Sequence, residues 1–200
     1  MGNTDKFDMM ADKYDTTERT HIAKVSSDAI RGCLADSKNK SAIDFGCGTG
    51  LVGLSLLDEF ESMLLMDTSQ NMLDQVELKI KRRHIQNAKT MCFDLEKDTL
   101  PNLDVDYIFM AQVLLHIKDY APVLHKLFDM LNVHGHLIIV DFDRNENVVS
   151  DLVHSGFDRQ ELTDMMRNIG FESIQTETFY SGSKIFMGCD ASMFILDAQK

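Results

Sequence analysis

The chain contains no tryptophan, only two prolines, and four cysteines that never pair as Cys-x-x-Cys. Each shortage excludes something. With only Pro101 and Pro122, and no stretch rich in Gly, Ser or Pro, nothing marks a linker, so residues 1–200 read as a single domain. Cys33, Cys47, Cys92 and Cys189 lie far apart, the pattern of reduced thiols and not of a disulfide framework. Apolar runs such as 137–140 fall far short of the roughly 20 residues that span a bilayer. The opening residues lack the apolar centre of a signal peptide. These absences predict a cytoplasmic protein with no membrane partner. Cations are scarce as well: 20 Lys and Arg stand against 32 Asp and Glu, a formal charge of −12. Gripping a phosphate backbone takes clustered Lys and Arg. The one basic cluster, Lys79, Lys81, Arg82 and Arg83, falls where it would close a helix and suit its dipole. No nucleic-acid partner is therefore expected. His134 and His136 would share one face of a strand with no obvious third ligand, so no metal is expected either.

What the chain does have is an apolar content of 44%, enough for one core, and a glycine run after an apolar segment. Ala42, Ile43 and Phe45 lead into Gly46, Gly48 and Gly50, and the spacing of Leu51, Val52, Leu54, Leu56 and Leu57 predicts a helix directly afterwards. Glycine tolerates positive φ and lets the backbone lie against a ligand. A helix opening there would offer its unpaired N–H groups to a polar ligand. Strand, glycine turn and helix describe a nucleotide-type cofactor site at the head of an α/β sheet. The dinucleotide fingerprint Gly-x-Gly-x-x-Gly fits poorly, because from Gly46 it requires glycine where Leu51 stands. From Gly48 the glycines are present, but the turn starts two residues late. Asp-x-Gly-x-Gly-x-Gly, beginning at Asp44, fits without adjustment.

That segment resembles motif I of the class I S-adenosylmethionine-dependent methyltransferases, and the resemblance runs on in family order over about residues 5–200. Ser62–Asp67 reads as a second buried strand ending in a carboxylate that can accept from both ribose hydroxyls. Residues 67–72 resemble the family segment in which that acid holds the ribose and a methionine, here Met72, packs on adenine. Residues 91–95, with Asp94 and Leu95, resemble the segment after the third strand, whose aspartate accepts from the adenine amino group. Residues 106–112, with Ala111, resemble the fourth strand, 132–141 the glycine turn and fifth strand, and 193–200 the closing strand. The family's usual Gly-Gly before the fifth strand is replaced by His134-Gly135-His136.

The resemblance implies an α/β fold, a three-layer Rossmann-like sandwich whose seven-stranded sheet is mostly parallel with the last strand antiparallel. An N-terminal helical lid would occupy about residues 1–38 and the Rossmann-like core 41–200. The implied cofactor is S-adenosyl-L-methionine, and the implied cofactor-binding residues are Asp44, Gly46, Gly48, Gly50, Asp67, Thr68, Met72, Asp94, Leu95, Ala111 and Tyr14. Tyr14 belongs to residues 7–15, which resemble a lid segment of related enzymes; plain helix packing is the competing reading. The expected activity is methyl transfer to a small-molecule acceptor. The alternative is a domain that binds the cofactor as a sensor or assembly partner without transfer. A nicotinamide-dependent reductase is a weaker third reading. Acceptors of high pKa need a general base, and His116 and His154 are the candidates, each with a structural role as its competing reading. Acceptor identity, the atom methylated and the oligomeric state stay open.

Overall fold

Short β-branched and apolar runs supply the strands. In a computed structural model, which describes residues 8–95, 97–98 and 103–200, these are β1 (Ser41–Phe45), β2 (Ser62–Asp67), β3 (Ala88–Cys92), β4 (Val105–Ala111), β5 (Leu131–Phe142), β6 (Glu172–Phe186) and β7 (Cys189–Gln199). They form one seven-stranded sheet in the order β3-β2-β1-β4-β5-β7-β6. Pairing is parallel from β3 through to β5, and only β7 runs against its neighbours, as the sequence predicts. Ile43, Leu65, Ile108, Phe109, Ile138, Val140, Phe194 and Leu196 are fully enclosed. Each such burial contributes about 1.5–3 kcal/mol. Most methionines of the interior, among them Met63, Met66, Met110, Met166 and Met193, fill gaps between these branched side chains.

Helices packed on the sheet include α1 (Thr17–Cys33), α2 (Gln70–Arg83), α3 (Ala121–Met130) and α4 (Arg159–Ile169). Their starts are legible as chemistry. Thr16 caps α1, Ser69 caps α2, and Asp158 caps α4 by accepting from the Gln160 and Glu161 N–H groups. Glu161 pairs with Arg144 at 2.6 Å. No side chain among the described residues caps α3. Tyr120 takes the cap position and Pro122 enters the first turn, where its missing N–H costs nothing. Among the described residues no helix is long and apolar enough to cross a membrane.

The largest departure follows β1. No α-helix forms after the glycine loop; two short 3-10 turns, Gly53–Ser55 and Leu57–Glu59, take its place. A helix there would join the Gly53 N–H to the Thr49 carbonyl. The Gly53 N–H donates instead to Asp44 Oδ2 at 2.9 Å, and the Thr49 carbonyl accepts from Lys79 Nζ at 2.7 Å. Two tertiary partners therefore outcompete the local pattern of leucines, and the expected helix N-terminus is not part of the site.

At the amino end, Lys6 and Phe7 lie outside the described residues, as does Pro101. A 3-10 turn, Ala11–Lys13, is separated from α1 by extended backbone at Thr16. This segment is tied to the sheet's carboxyl edge at both ends. The Ser69 hydroxyl donates to the Asp8 carboxylate, and Asn71 Nδ2 donates to the Asp8 carbonyl at 3.2 Å. The Thr49 hydroxyl donates to Asp15, which also pairs with Lys79 at 2.7 Å.

Candidate cofactor and acceptor site

The strand order reverses direction between β1 and β4, and ligands of open α/β sheets bind beyond the carboxyl ends at such a point. A cavity of about 430 Å³ opens there, within the range of roughly 300–1,000 Å³ typical of small-molecule sites. The glycine loop forms its floor. Gly46, Gly48 and Gly50 all have positive φ, at 70°, 52° and 77°. A side chain on Gly46 would meet Val113 Cγ2 at 2.5 Å, so that residue must be glycine for the loop to close on the β4 side. Gly48 faces the cavity, with Tyr14 Cε1 3.8 Å from where a Cβ would stand.

Asp67, at the end of β2, is the organising carboxylate of this edge. It accepts from the Gly48 N–H at 2.8 Å and from the Ser69 N–H at 2.9 Å, locking the loop to the start of α2. Burial raises its pKa, opposed by these backbone N–H bonds. Cys47 lies within the loop, and burial, with Asp44 and Asp67 nearby, holds its thiol well above the usual range. It is a small packing residue here and no nucleophile.

Of the residues that the sequence singles out, Tyr14, Gly46, Gly48, Asp67, Thr68, Met72, Asp94, Leu95, Ala111 and His116 share this one cavity. Asp94 is paired with Lys97 at 2.6 Å. Asp44, Gly50 and His154 stand outside the lining. Asp44 is 2% exposed beneath the loop, engaged by the Gly53 N–H. A Cβ on Gly50 would meet Leu54 and Val76 at 3.1 and 3.2 Å, so this glycine serves packing behind the loop. The His154 ring bonds through Nε2 to the Ile117 carbonyl at 2.8 Å and lies edge-on to Tyr120, while its backbone N–H donates to the Leu115 carbonyl. It braces the turn that carries His116 and does not enter the cavity. His136, likewise, is occupied by Asp197 at 2.9 Å and by stacking on Tyr107.

Sequence reasoning missed the third wall. Arg19, Ala23 and Ser26 of α1, spaced for one helix face, line the cavity together with Gln112, Val113, Ile117 and Lys118. No short motif marks them. Gln112 has a positive φ of 57°, rare for a residue with a long side chain, and this turns the chain at the end of β4. Asp141, fully buried at the end of β5, holds the same rim from below. It accepts from the Leu115 N–H at 3.1 Å and the Phe142 N–H at 2.8 Å, with the Leu114 N–H beside it.

Burial pushes both Asp44 and Asp141 up to about 7. A folded pKa above the unfolded value means that the folded chain binds more protons between about pH 4 and 7. The stability these groups contribute is complete below the unfolded pKa and lost as pH rises through about 7. The denaturant midpoint should therefore fall as pH rises from about 4 to about 7, and Asp141→Asn should shrink that fall. An identical fall in the variant would show that Asp141 does not titrate in this window.

Residues 43–137 match the family described as methyltransferase domain. An uncharacterized methyltransferase of Schizosaccharomyces pombe is 25% identical over 154 residues, 68% of this chain and 54% of that protein. The chain thus spans about half the length of that relative. A demethylmenaquinone methyltransferase of Geobacillus is 24% identical over 178 residues, covering 72% of this chain and 76% of the relative. Among solved structures, an S-adenosylmethionine-dependent methyltransferase from Aquifex aeolicus superposes with a TM-score of 0.71 at 16% identity, over 96% of this chain and 97% of that one, a likeness of fold.

Proposed function

We propose that the chain is a class I S-adenosylmethionine-dependent methyltransferase that binds S-adenosylmethionine in the β1–β4 cavity and methylates a small molecule there. One observation carries the reading: the Asp67 carboxylate, the Gly46–Gly48 backbone, Met72 and Asp94 converge on one cavity from three separate segments of the chain. Their chemistry suits the cofactor. Gly46 and Gly48 would allow close backbone approach, Asp67 would take the ribose hydroxyls, and Met72 and Leu95 would pack on adenine with Asp94 toward its amino group. Thr68 and Ala111 would border it, and Tyr14 would cover it. Asp44 and Gly50 would act from behind, holding the loop in shape.

When bound, S-adenosylmethionine supplies a methyl group already attached to a sulfonium leaving group. What remains for the protein is placement, and holding an acceptor in line is worth roughly 7–11 kcal/mol. The wall formed by α1, Val113 and Ile117 would shape that placement and exclude water. His116, on the rim turn braced by Asp141 and His154, is the candidate general base for an acceptor proton. Residues 8–16, pinned through Asp8 and Asp15, would serve as the lid over a single catalytic domain. A net charge of −12 favours a small acceptor over a nucleic acid.

Two measurements test the reading. Release of S-adenosylhomocysteine with at least one member of a broad acceptor panel is expected; tight cofactor binding with no turnover across the panel would favour a sensor or assembly role. Asp67→Ala should weaken S-adenosylhomocysteine binding at least tenfold in calorimetry while the chain stays folded, since a charge-assisted acceptor is worth about 1.5–3 kcal/mol. Equal affinity in a folded variant would remove Asp67 from the site.

A further inference from the structure

The α1 wall of the cavity carries two features that the cofactor assignment leaves unused. Ser26 is 1% exposed, lines the cavity, and its hydroxyl has no hydrogen-bond partner among the described residues. A buried hydroxyl left unpaired costs stability, so its persistence here points to a partner that arrives from the cavity. Two turns earlier on the same helix, Arg19 is fixed in place. Its guanidinium lies 4.1 Å from the centre of the Tyr14 ring, and Nη1 donates to the Tyr14 carbonyl at 3.2 Å.

Charge makes the second point. This chain has 32 acidic side chains for 20 basic ones, yet Arg19 and the rim residue Lys118 form no ion pair among the described residues. Asp67 and Asp94 stand at the ends of β2 and β3, one holding backbone N–H groups and the other Lys97. Among the described residues, Arg19 of α1 and Lys118 of the rim after β4 thus bring two cations without carboxylate partners to the cavity of an anionic protein. A cleft lined by one sign of charge concentrates ligands of the other.

We propose that the methyl acceptor is a small organic anion, bearing a carboxylate or a phosphate, held by Arg19 and Lys118 and hydrogen-bonded by the Ser26 hydroxyl. This rests on the reading of the cavity as a methyl-transfer site and names the acceptor class for it. Ala23, between the two polar residues of α1, leaves room for the body of the acceptor, and Val113 and Ile117 supply an apolar face.

The test uses the intact protein saturated with S-adenosylhomocysteine and followed by NMR chemical shifts. Acetate and inorganic phosphate are titrated in separate arms, with glycerol and ethylammonium as neutral and cationic controls. At least one anion should bind saturably, and the arm that responds identifies the acid group. Arg19→Gln combined with Lys118→Gln should weaken it about tenfold or more, and Ser26→Ala by a smaller factor, with S-adenosylhomocysteine affinity unchanged in Lys118→Gln and Ser26→Ala, which leave the Tyr14 contacts in place. Absence of anion binding, or preference for glycerol or ethylammonium, overturns the proposal. So does loss of S-adenosylhomocysteine affinity in Arg19→Gln with anion binding intact, which would give Arg19 to the cofactor's own carboxylate. If the unaltered protein fails to bind S-adenosylhomocysteine at all, the reading of the cavity itself falls and takes this proposal with it.

Discussion

His116→Gln is expected to keep its affinity for S-adenosylhomocysteine and to lose turnover by about 10²–10⁴-fold, the usual contribution of a positioned general base. The expectation comes from placement. His116 ends the 3-10 turn after β4, lines the cavity, and sits on a rim held by Asp141 and braced by His154. Glutamine preserves size and hydrogen bonding but cannot act as a base, as an imidazole can. Turnover measured with the identified acceptor, together with calorimetry, separates the two quantities. A variant as fast as the parent would leave methyl transfer to proximity alone. His154→Gln provides the contrast: it loosens the bond to the Ile117 carbonyl and should lower thermal stability, with a smaller effect on turnover.

The second large effect belongs to the loop. Gly48→Val should abolish cofactor binding in calorimetry. At φ of 52° a β-branched residue is strained, and its side chain would project into the cavity beside Tyr14. Circular dichroism and gel filtration check that the variant folds. Lys81→Ala, on the exposed flank of α2, should bind as the parent does. A folded Gly48→Val protein with normal affinity would sink the assignment of the glycine loop to the cofactor.

What could be read beforehand was whatever is written locally. A strand ending in glycines announces itself over eight residues, and Asp67 closes a second strand that an apolar run can place, whereas Met72 and Asp94 were legible only through the family resemblance. What could not be read shares one cause. Asp44 and Gly50 lie in the same eight residues as Gly46 and Gly48, and only the folded loop decides which face the cavity and which face the core. The leucines after Gly50 carry a helical pattern, but its first hydrogen bond is claimed by Asp44 and Lys79, both brought in from elsewhere in the chain. Arg19 and Ser26 offered no signal at all, because a helix face becomes a wall only once the sheet behind it exists. His154 and His116 looked alike in sequence; the Ile117 carbonyl tells them apart.

The placement of β7 bears on how this chain can be made. β6 pairs with β7 alone, and β7 is threaded between β5 and β6 although it is synthesised after both. A chain emerging from the ribosome at roughly 5–20 residues per second therefore exposes β6 as an orphan strand for about a second. The flank of β5 stays open for the same interval, and unpaired strand edges are templates for wrong partners. The strands that hold the glycine loop and Asp67 are completed earlier and do not wait for this step. Removing residues 189–199 would leave the cavity's strands in place but two bare edges beside them, and aggregation during synthesis, more than a damaged site, would be the visible defect.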